Sequence, residues 1–578
     1  MPVNVNRRFF LKTTSPLLLA PWLGGWPAGD GAADYGSHLD RLLAELLIEN
    51  DRQVHSLLPQ QVQAPGERPH GGLTDRYGIP SAGGTAMFIQ RLASAYVAAD
   101  SLYAREPALM QAMRAAADFL LRIQHADGTI DLHTTNFHSP PDTAFVVEPL
   151  CVAYSVLKKH EPEGSQALRQ QLEAFLGQAA AALRTGGIHT PNHRWVVCMA
   201  LARIQQHVPH PGNPARVAQW LAEQIDIDPD GQYTEKSNLV YTPLTNRCLI
   251  TVARLLDRPE LYEPVRRNLD MMLYYLHPNG EVVSEASGRQ DQYRAGTMEN
   301  YYYPYRYMAL REGHGQFAQL SRDIPLQAGA AKLTRYLGYF QEDEFLHRPL
   351  PPAEPLPTHY RRLFSHSQLA RIRRGAYDAS ILARNPVFFT FQHGQAVLQG
   401  VRLHAAFFGS KGLFSPQELQ QVGEGFELRQ TAVGPYYQPL PPDLLPGDGN
   451  WHRMPREQRP QSEVQQLHYR VHIRELSPGF ELEIELQGTG HVPLALELGF
   501  RMGGNLEGVS TVQDVPHAYL LQGEGGSYTY GRDRITFGPG HAAHRWTQLR
   551  GAPPKMDAMS VYLTGYTPFR LQLQVRPG

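Results

Sequence analysis

Two short stretches carry residues that could do acid–base chemistry beside an anion. Thr190-Pro191-Asn192-His193-Arg194-Trp195 opens one predicted helix, and Asp230-Gly231-Gln232-Tyr233-Thr234-Glu235-Lys236-Ser237-Asn238-Leu239-Val240-Tyr241 leads into the next. An amide, an imidazole, an ammonium and a phenol therefore fall at the ends of successive helices. Such a set can hold a carboxylate, take an acidic C–H proton and protonate a departing oxygen. A proton next to a carboxylate becomes acidic only when the carboxylate charge is offset by a donor such as Asn, His or Arg. A His or Tyr can then act as base and a Tyr as acid. Asn192 and His193 stand at a helix start, where backbone N–H groups also favour an anion. Asn192 can equally serve as the N-cap of a helix beginning near Arg194.

Two further clusters belong to the same picture. Arg289-Gln290-Asp291-Gln292-Tyr293-Arg294 and Glu299-Asn300-Tyr301 combine guanidinium groups with aromatic faces, which suits sugar stacking and carboxylate pairing. Arg289, Asn300 and Tyr301 are the expected substrate-binding members, with Glu235 and Lys236 from the loop above. His133, Asn136, His138 and Asp142 lie in a loop and lack a compact metal-ligand spacing, so His133 and His138 are assigned to substrate hydrogen bonding.

These residues must be positioned by long-range structure. From about Leu39 to Tyr339 apolar residues recur at three- and four-residue spacings, alanine is frequent and connections are short. Examples are Ala108–Gln124, Ser165–Arg184, Trp195–Gln206 and Leu244–Leu256, and an array of paired helices follows. Asp127-Gly128, Gly186-Gly187, Asp230-Gly231 and Asn279-Gly280 each follow a predicted helix and precede a polar, aromatic-containing segment, about one helical hairpin apart. Equivalent loops at that interval would ring one cleft. The proline-rich 347–357 stretch reads as a stiff linker. Beyond it, short β-branched or aromatic runs such as Val387–Gln392, Phe480–Leu486 and Pro493–Phe500 predict an antiparallel sandwich.

The Asn-His pair with a Tyr about fifty residues later resembles the alginate lyase and heparinase II/III group of polysaccharide lyases. The 230–241 loop is similar to that of the chondroitin AC and hyaluronate lyases, with Lys236 where those carry a histidine. The likeness in organisation covers nearly the whole chain after residue 33; the motif match is confined to 190–241. The resemblance implies an N-terminal (α/α) incomplete toroid of helical hairpins and a C-terminal antiparallel β-sandwich, with boundaries at 34–345, a 346–360 linker and 361–578. It implies β-elimination on a uronic-acid glycan, with Asn192 neutralising the carboxylate, His193 or Tyr241 as base and Tyr241 as acid. The competing readings are a glycoside hydrolase using two of Asp131, Asp142 and Glu235, and a non-catalytic acidic-glycan-binding protein. No cofactor is expected. His393 and His404 mark the region where a related lyase type carries a metal in the sandwich.

The chain of 578 residues is 42% hydrophobic and 19% charged, with a formal net charge of −1, so no global basic field points to nucleic acid. Cys151, Cys198 and Cys248 are far apart and form no metal or redox pair. Asn6-Arg7-Arg8-Phe9-Phe10-Leu11-Lys12, followed by a modest apolar run, carries the twin-arginine export pattern over residues 1–33. That implies the twin-arginine machinery as partner and a periplasmic or secreted location, with no stable membrane insertion. Replacing Arg7 and Arg8 together with Lys should leave the precursor in the cytoplasm. Cell fractionation checks this, and unchanged export would refute the assignment.

Overall fold

The computed structural model describes residues 35–578, so the twin-arginine segment lies outside the described residues. The first half is built from helical hairpins. Ala82–Val97 pairs with Pro107–Ile123, Pro140–His160 with Ser165–Thr185, Pro191–Gln205 with Gly212–Ala222, Tyr241–Leu255 with Tyr262–Met272, and Tyr302–Glu312 with Gly315–Ala328. The first member of each pair packs against the first members of its neighbours, forming an inner layer. Composition explains the sorting. Pro191–Gln205 buries every residue from Arg194 to Ile204, whereas Ser165–Thr185 buries one stripe, Leu168, Leu172, Phe175, Leu176, Ala179 and Leu183. A helix buried on every face goes inside, with Arg194 and Arg203 paired to acids; one with a single apolar stripe forms the outer wall.

The chain then returns through Leu337–Glu342, which packs against Pro140–His160 and Ala82–Val97. A buried charge cluster fixes this closure. The Arg247 guanidinium donates to both oxygens of Glu148 at 2.7 and 3.0 Å, the Tyr339 hydroxyl donates to the same carboxylate, and Arg203 donates to Glu342 at 3.1 and 3.2 Å. Burial pushes Glu148 up, but Arg247, Arg335 and Arg203 outweigh it and hold the carboxyl at about 2.

The helix windows read from the sequence are present, and the glycine-marked loops turn out to be one repeated turn. Asp75, His125, Asp228 and His277 each donate their N–H four residues ahead, to Ile79, Thr129, Gln232 and Glu281. Gly78, Gly128, Gly231 and Gly280 complete these turns with positive φ. A Cβ on Gly128 would lie 2.1 Å from the Gln178 carbonyl oxygen, so the turn sits directly on the adjacent outer helix. Gly186-Gly187 does not share the pattern: Gly186, at φ −70°, caps the helix Ser165–Thr185. All these turns run from an outer helix to the next inner one, so they lie at one end of the helical array.

Residues 348–358 are extended and lie along the last hairpin, with Gln316 donating to Pro355 O and Glu354 N–H to Gly315 O. Two sheets follow, of nine and eight strands among the described residues, antiparallel apart from the pairing of Ala518–Leu520 with Met559–Tyr566. Alternation places each side chain. In Gly479–Gly488, Phe480, Leu482, Ile484 and Leu486 enter the core, while Glu481, Glu483 and Glu485 pair with arginines of neighbouring strands.

The sandwich grips the same turns. Asp230 Oδ2 accepts the N–H groups of His366 and Ser367 at 2.8 Å, and Arg501 holds Glu281 at 2.9 and 2.7 Å. Beneath them His277 lies between Asp378, at 3.0 Å, and Glu285; Arg371 also donates to Asp378. Ser380 and Thr390 donate to Glu285 at 2.6 and 3.0 Å. Burial alone would push the His277 imidazole down, but Asp378 and Glu285 outweigh it and lift it to about 9. Its stabilisation is therefore complete below the ordinary value of 6.5 and is lost as pH rises through about 9. Stability should fall by on the order of 3 kcal/mol over that window. Scanning calorimetry should show the melting temperature declining between pH 7 and 9, with the decline absent in His277→Gln. A flat wild-type profile would mean that His277 is not charged in the folded protein.

Candidate active site

The helix carrying Asn192 starts earlier than its apolar periodicity suggests. Thr190 is the N-cap and Pro191 the first helical residue, a position that suits proline because its missing N–H has no partner to lose. Asn192 is therefore not the cap; it sits in the first turn, 2% exposed. Its N–H, free of an intrahelical acceptor, donates to Glu235 Oε2 at 3.4 Å. The side-chain Nδ2 lies 3.0 Å from Thr190 Oγ1, while the buried Oδ1 has no partner. Turning the amide over lets the Thr190 hydroxyl donate to Oδ1 and frees both Nδ2 hydrogens for an incoming acceptor. Arg194 faces elsewhere: it pairs with Glu223 at 3.2 Å and Asp226 at 2.8 Å and lies over the Trp195 ring.

Glu235 is the hinge of the site. It is 5% exposed, and its carboxylate receives the Asn192 N–H on one oxygen and the Arg289 guanidinium on the other. The ion pair holds the Arg289 guanidinium 5.3 Å from the centre of the Tyr241 ring. The next residue, Gln290, donates from Nε2 to the Tyr241 hydroxyl at 2.8 Å. Tyr241 begins the helix Tyr241–Leu255, its N–H anchored on Ser237 Oγ at 3.1 Å. Lys236 adopts φ +46°, and its carbonyl accepts the Gly288 N–H at 2.6 Å, which ties the two loops together.

His193 follows Asn192 and is half-buried. Burial pushes its imidazole down, with His189 and Arg289 adding to the effect against Asp142 and Glu235, so the ring is neutral at neutral pH. The His189 N–H points at Nδ1 from 3.4 Å, which leaves the proton of the neutral ring on Nε2. Phe145 meets the ring edge-on.

No protein-family model matches the chain, and no curated protein matches it. Solved structures do. Heparinase III is 11% identical with a TM-score of 0.52, over 89% of this chain and 78% of that one. A xanthan lyase from Paenibacillus is 9% identical with a TM-score of 0.50, over 95% of this chain and 58% of that one. The chain has the fold of the toroid-and-sandwich polysaccharide lyases. The (α/α) toroid and antiparallel sandwich expected from the sequence are thus the observed architecture.

The structure brings Asn192, His193, Glu235, Arg289 and Tyr241 together. His138 and His133 lie on the hairpin Ile130–Leu132/Asn136–Ser139, His138 lining a cavity together with His189. His138 pairs with Asp127 at 2.7 Å and stacks on His125 at 3.8 Å, and His133 is exposed at the turn. Tyr301 requires a correction. Asn300 donates to Leu239 O at 3.0 Å, and Tyr301, 1% exposed, donates to Asn238 O at 2.7 Å. Both brace the loop before Tyr241, Tyr301 fully buried and Asn300 half-buried, because a buried carbonyl must find a donor.

Gln290 and His189 gain contacts that their types alone did not announce; adjacency to Arg289 and to Asn192-His193 is the signal that could have found them. Among the described residues no group of three or more His, Cys, Asp or Glu side chains is arranged to hold a metal. His393 donates to Arg534 O at 2.9 Å, and His404 is buried beside Arg550 O.

Tyr301→Phe should cost about 1–3 kcal/mol by leaving a buried carbonyl unpaired, with no change in the affinity for glycan. Chemical denaturation and a binding titration check the two halves. A large loss of affinity at full stability would return Tyr301 to the cleft.

Proposed function

We propose that the protein is a polysaccharide lyase that cleaves a uronic-acid glycan by β-elimination. The supporting observation is the relay from the Asn192 N–H through the buried Glu235 and Arg289 to a phenol held by Gln290. The Asn192 amide donates to the uronate carboxylate and offsets its charge, with the helix N-terminus adding to the effect. After its hydroxyl proton has left to solvent, the Tyr241 oxygen takes the C5 proton; the C4–O4 bond breaks as the C4–C5 double bond forms; that proton then passes to O4, which returns Tyr241 to its starting form. The Arg289 cation across the ring and the Gln290 N–H stabilise negative charge on the Tyr241 oxygen during transfer. His193, with its proton on Nε2, acts as a second donor to the carboxylate. Lys236 remains a candidate contact for the acidic chain.

The hydrolase reading finds little support in the carboxylates. Asp131 is bound by His125 at 2.8 Å and by the His138 N–H at 2.8 Å, Asp142 by Asn136 at 2.9 Å and Ser139 at 2.6 Å, and Glu235 by Arg289. None is left as a free acid and base pair. A passive glycan binder would not need a phenol positioned by two neighbours. Export by the twin-arginine route to the periplasm or medium completes the proposal; among the described residues no helix is long and apolar enough to cross a membrane.

Screening uronate polymers for the ultraviolet band of an unsaturated product tests the reaction. Tyr241→Phe should abolish turnover while binding survives. Asn192→Ala should lose roughly a hundredfold or more in kcat, on the order of 3 kcal/mol. His193→Gln, which keeps a donor, should retain measurable activity. Near-normal turnover in Tyr241→Phe would remove the basis of the mechanism, and a His193→Gln variant as inactive as Tyr241→Phe would make His193 the base.

A further inference from the structure

A cavity of about 120 Å³ opens where the helical half meets the sandwich. On the toroid side its wall includes Ser284 and Glu285 from one segment and Tyr293 and Arg294 from another. These are the two stems of the loop whose tip carries Arg289 and Gln290. The stems are joined by the Val282 N–H, which donates to Gly296 O at 2.9 Å, and by the Tyr293 N–H, which donates to Ser284 O at 3.4 Å. On the sandwich side the wall is Phe391, Gln392 and Leu398, all buried. None of Asn192, His193, Tyr241, Arg289 and Gln290 lines the cavity, so it is distinct from the candidate active site.

Polar groups on this wall are left without partners among the described residues. Ser284 is 6% exposed, and its hydroxyl makes no hydrogen bond. Gln392 is 2% exposed; its Nε2 donates to Gly394 O at 2.8 Å, which fixes the amide and leaves Oε1 as an unused acceptor. The Arg294 guanidinium stands exposed at the mouth with no carboxylate against it. Buried polar atoms are costly when unpaired. A donor, an acceptor and a cation around one small cavity are a set that a ligand can complete.

The remaining charges on the wall cancel. Arg501 donates to both oxygens of Glu281. His277 lies between Glu285 and Asp378, and Arg371 donates to Asp378, so that buried set holds two cations and two anions. Arg294 is left as the one uncompensated charge. A monoanion matches it, whereas a dianion would set its second charge against Glu281 and Glu285. Phe391 and Leu398 offer an apolar surface to a carbon body, and the volume, well below the roughly 300–1,000 Å³ of drug-sized pockets, admits only a small molecule.

We propose that this cavity binds a hydroxy monocarboxylate of about the size of lactate. The carboxylate takes the Arg294 and Ser284 donors, the ligand hydroxyl donates to Gln392 Oε1, and the carbon body lies on Phe391 and Leu398. Such a ligand ties both stems of the loop to the sandwich and braces the segment that carries Arg289 and Gln290. The inference does not rest on the lyase reading.

The test is a calorimetric titration of the full chain with D-lactate and L-lactate. The controls are propionate, which lacks the hydroxyl, propane-1,2-diol, which lacks the carboxylate, and inorganic phosphate. The tighter lactate enantiomer should bind with a Kd on the order of 1 mM, modest because few atoms are buried, and roughly tenfold or more tighter than each control. Arg294→Gln, at an exposed position where folding is not at risk, should weaken it by roughly tenfold. Amide hydrogen exchange across residues 286–292 should slow when that enantiomer is bound. Binding of neither enantiomer, a control that binds as tightly, indifference to Arg294→Gln, or unchanged exchange at saturation would each overturn the proposal. Because none of these measurements follows turnover, a protein that releases no unsaturated product would refute the lyase reading and leave this site standing.

Discussion

A carboxylate buried where the helices meet the sandwich carries the rest of the architecture. Glu285 gives its oxygens to His277, Ser380 and Thr390 and its carbonyl to Asn385. Taking such a charge out of water is expensive, and only a complete set of partners makes it tolerable. Those partners come from both halves of the chain, so the network exists only when toroid and sandwich are docked. Burial would raise Glu285, but His277 and Arg371 outweigh it and keep it at about 2, ionised under all ordinary conditions. The segment immediately after Glu285 supplies Arg289 and Gln290. The two side chains that flank the Tyr241 phenol are thus anchored a few residues from the domain junction, and Tyr293 repeats the tie by donating to Asn385 at 2.5 Å.

Beneath that segment the electrostatics are arranged by one more buried acid. Glu235 sits where the free N–H groups of a helix start would otherwise draw an anion from solution. Its presence there divides the labour: the backbone donor of Asn192 is used internally, and the Asn192 side chain is left with an unpaired buried oxygen. An unpaired buried polar atom is costly in a resting protein. Turned over onto the Thr190 hydroxyl, the same amide satisfies that oxygen and presents its N–H group, which is why the amide, and not the helix terminus, is the donor directed at the substrate carboxylate in the proposed mechanism.

Much of this was legible from residue order alone, and the failures have physical causes. Helices announced themselves because apolar residues recur at three- and four-residue spacings in inner and outer members alike. Their starts did not: Pro191 and the Thr242-Pro243 pair look like breaks, yet proline in a first turn costs no hydrogen bond. Three of the four glycine loops shared a turn; Gly186-Gly187 did not, because two adjacent glycines look the same whether they cap a helix or cross over it. Tyrosine was the least informative type. Tyr241 and Tyr301 are indistinguishable by composition, and only their partners separate them: the Tyr301 hydroxyl donates to Asn238 O, whereas the Tyr241 hydroxyl accepts from Gln290. The sandwich partners of Glu285, Ser380 and Thr390, lie some hundred residues away in sequence, beyond any local pattern.

The repeated turn has a consequence for how such a protein can change. Each turn is closed by its own backbone hydrogen bonds, and Gly128 and Gly231 seat theirs directly on an outer helix. The polar segment that follows each turn is therefore clamped at its base before it enters the cleft. A lengthened or rewritten segment would leave the clamp, and the helices behind it, undisturbed. The toroid in this way separates the part that must stay constant from the part that can drift, and a lineage could change what the loops contact one segment at a time.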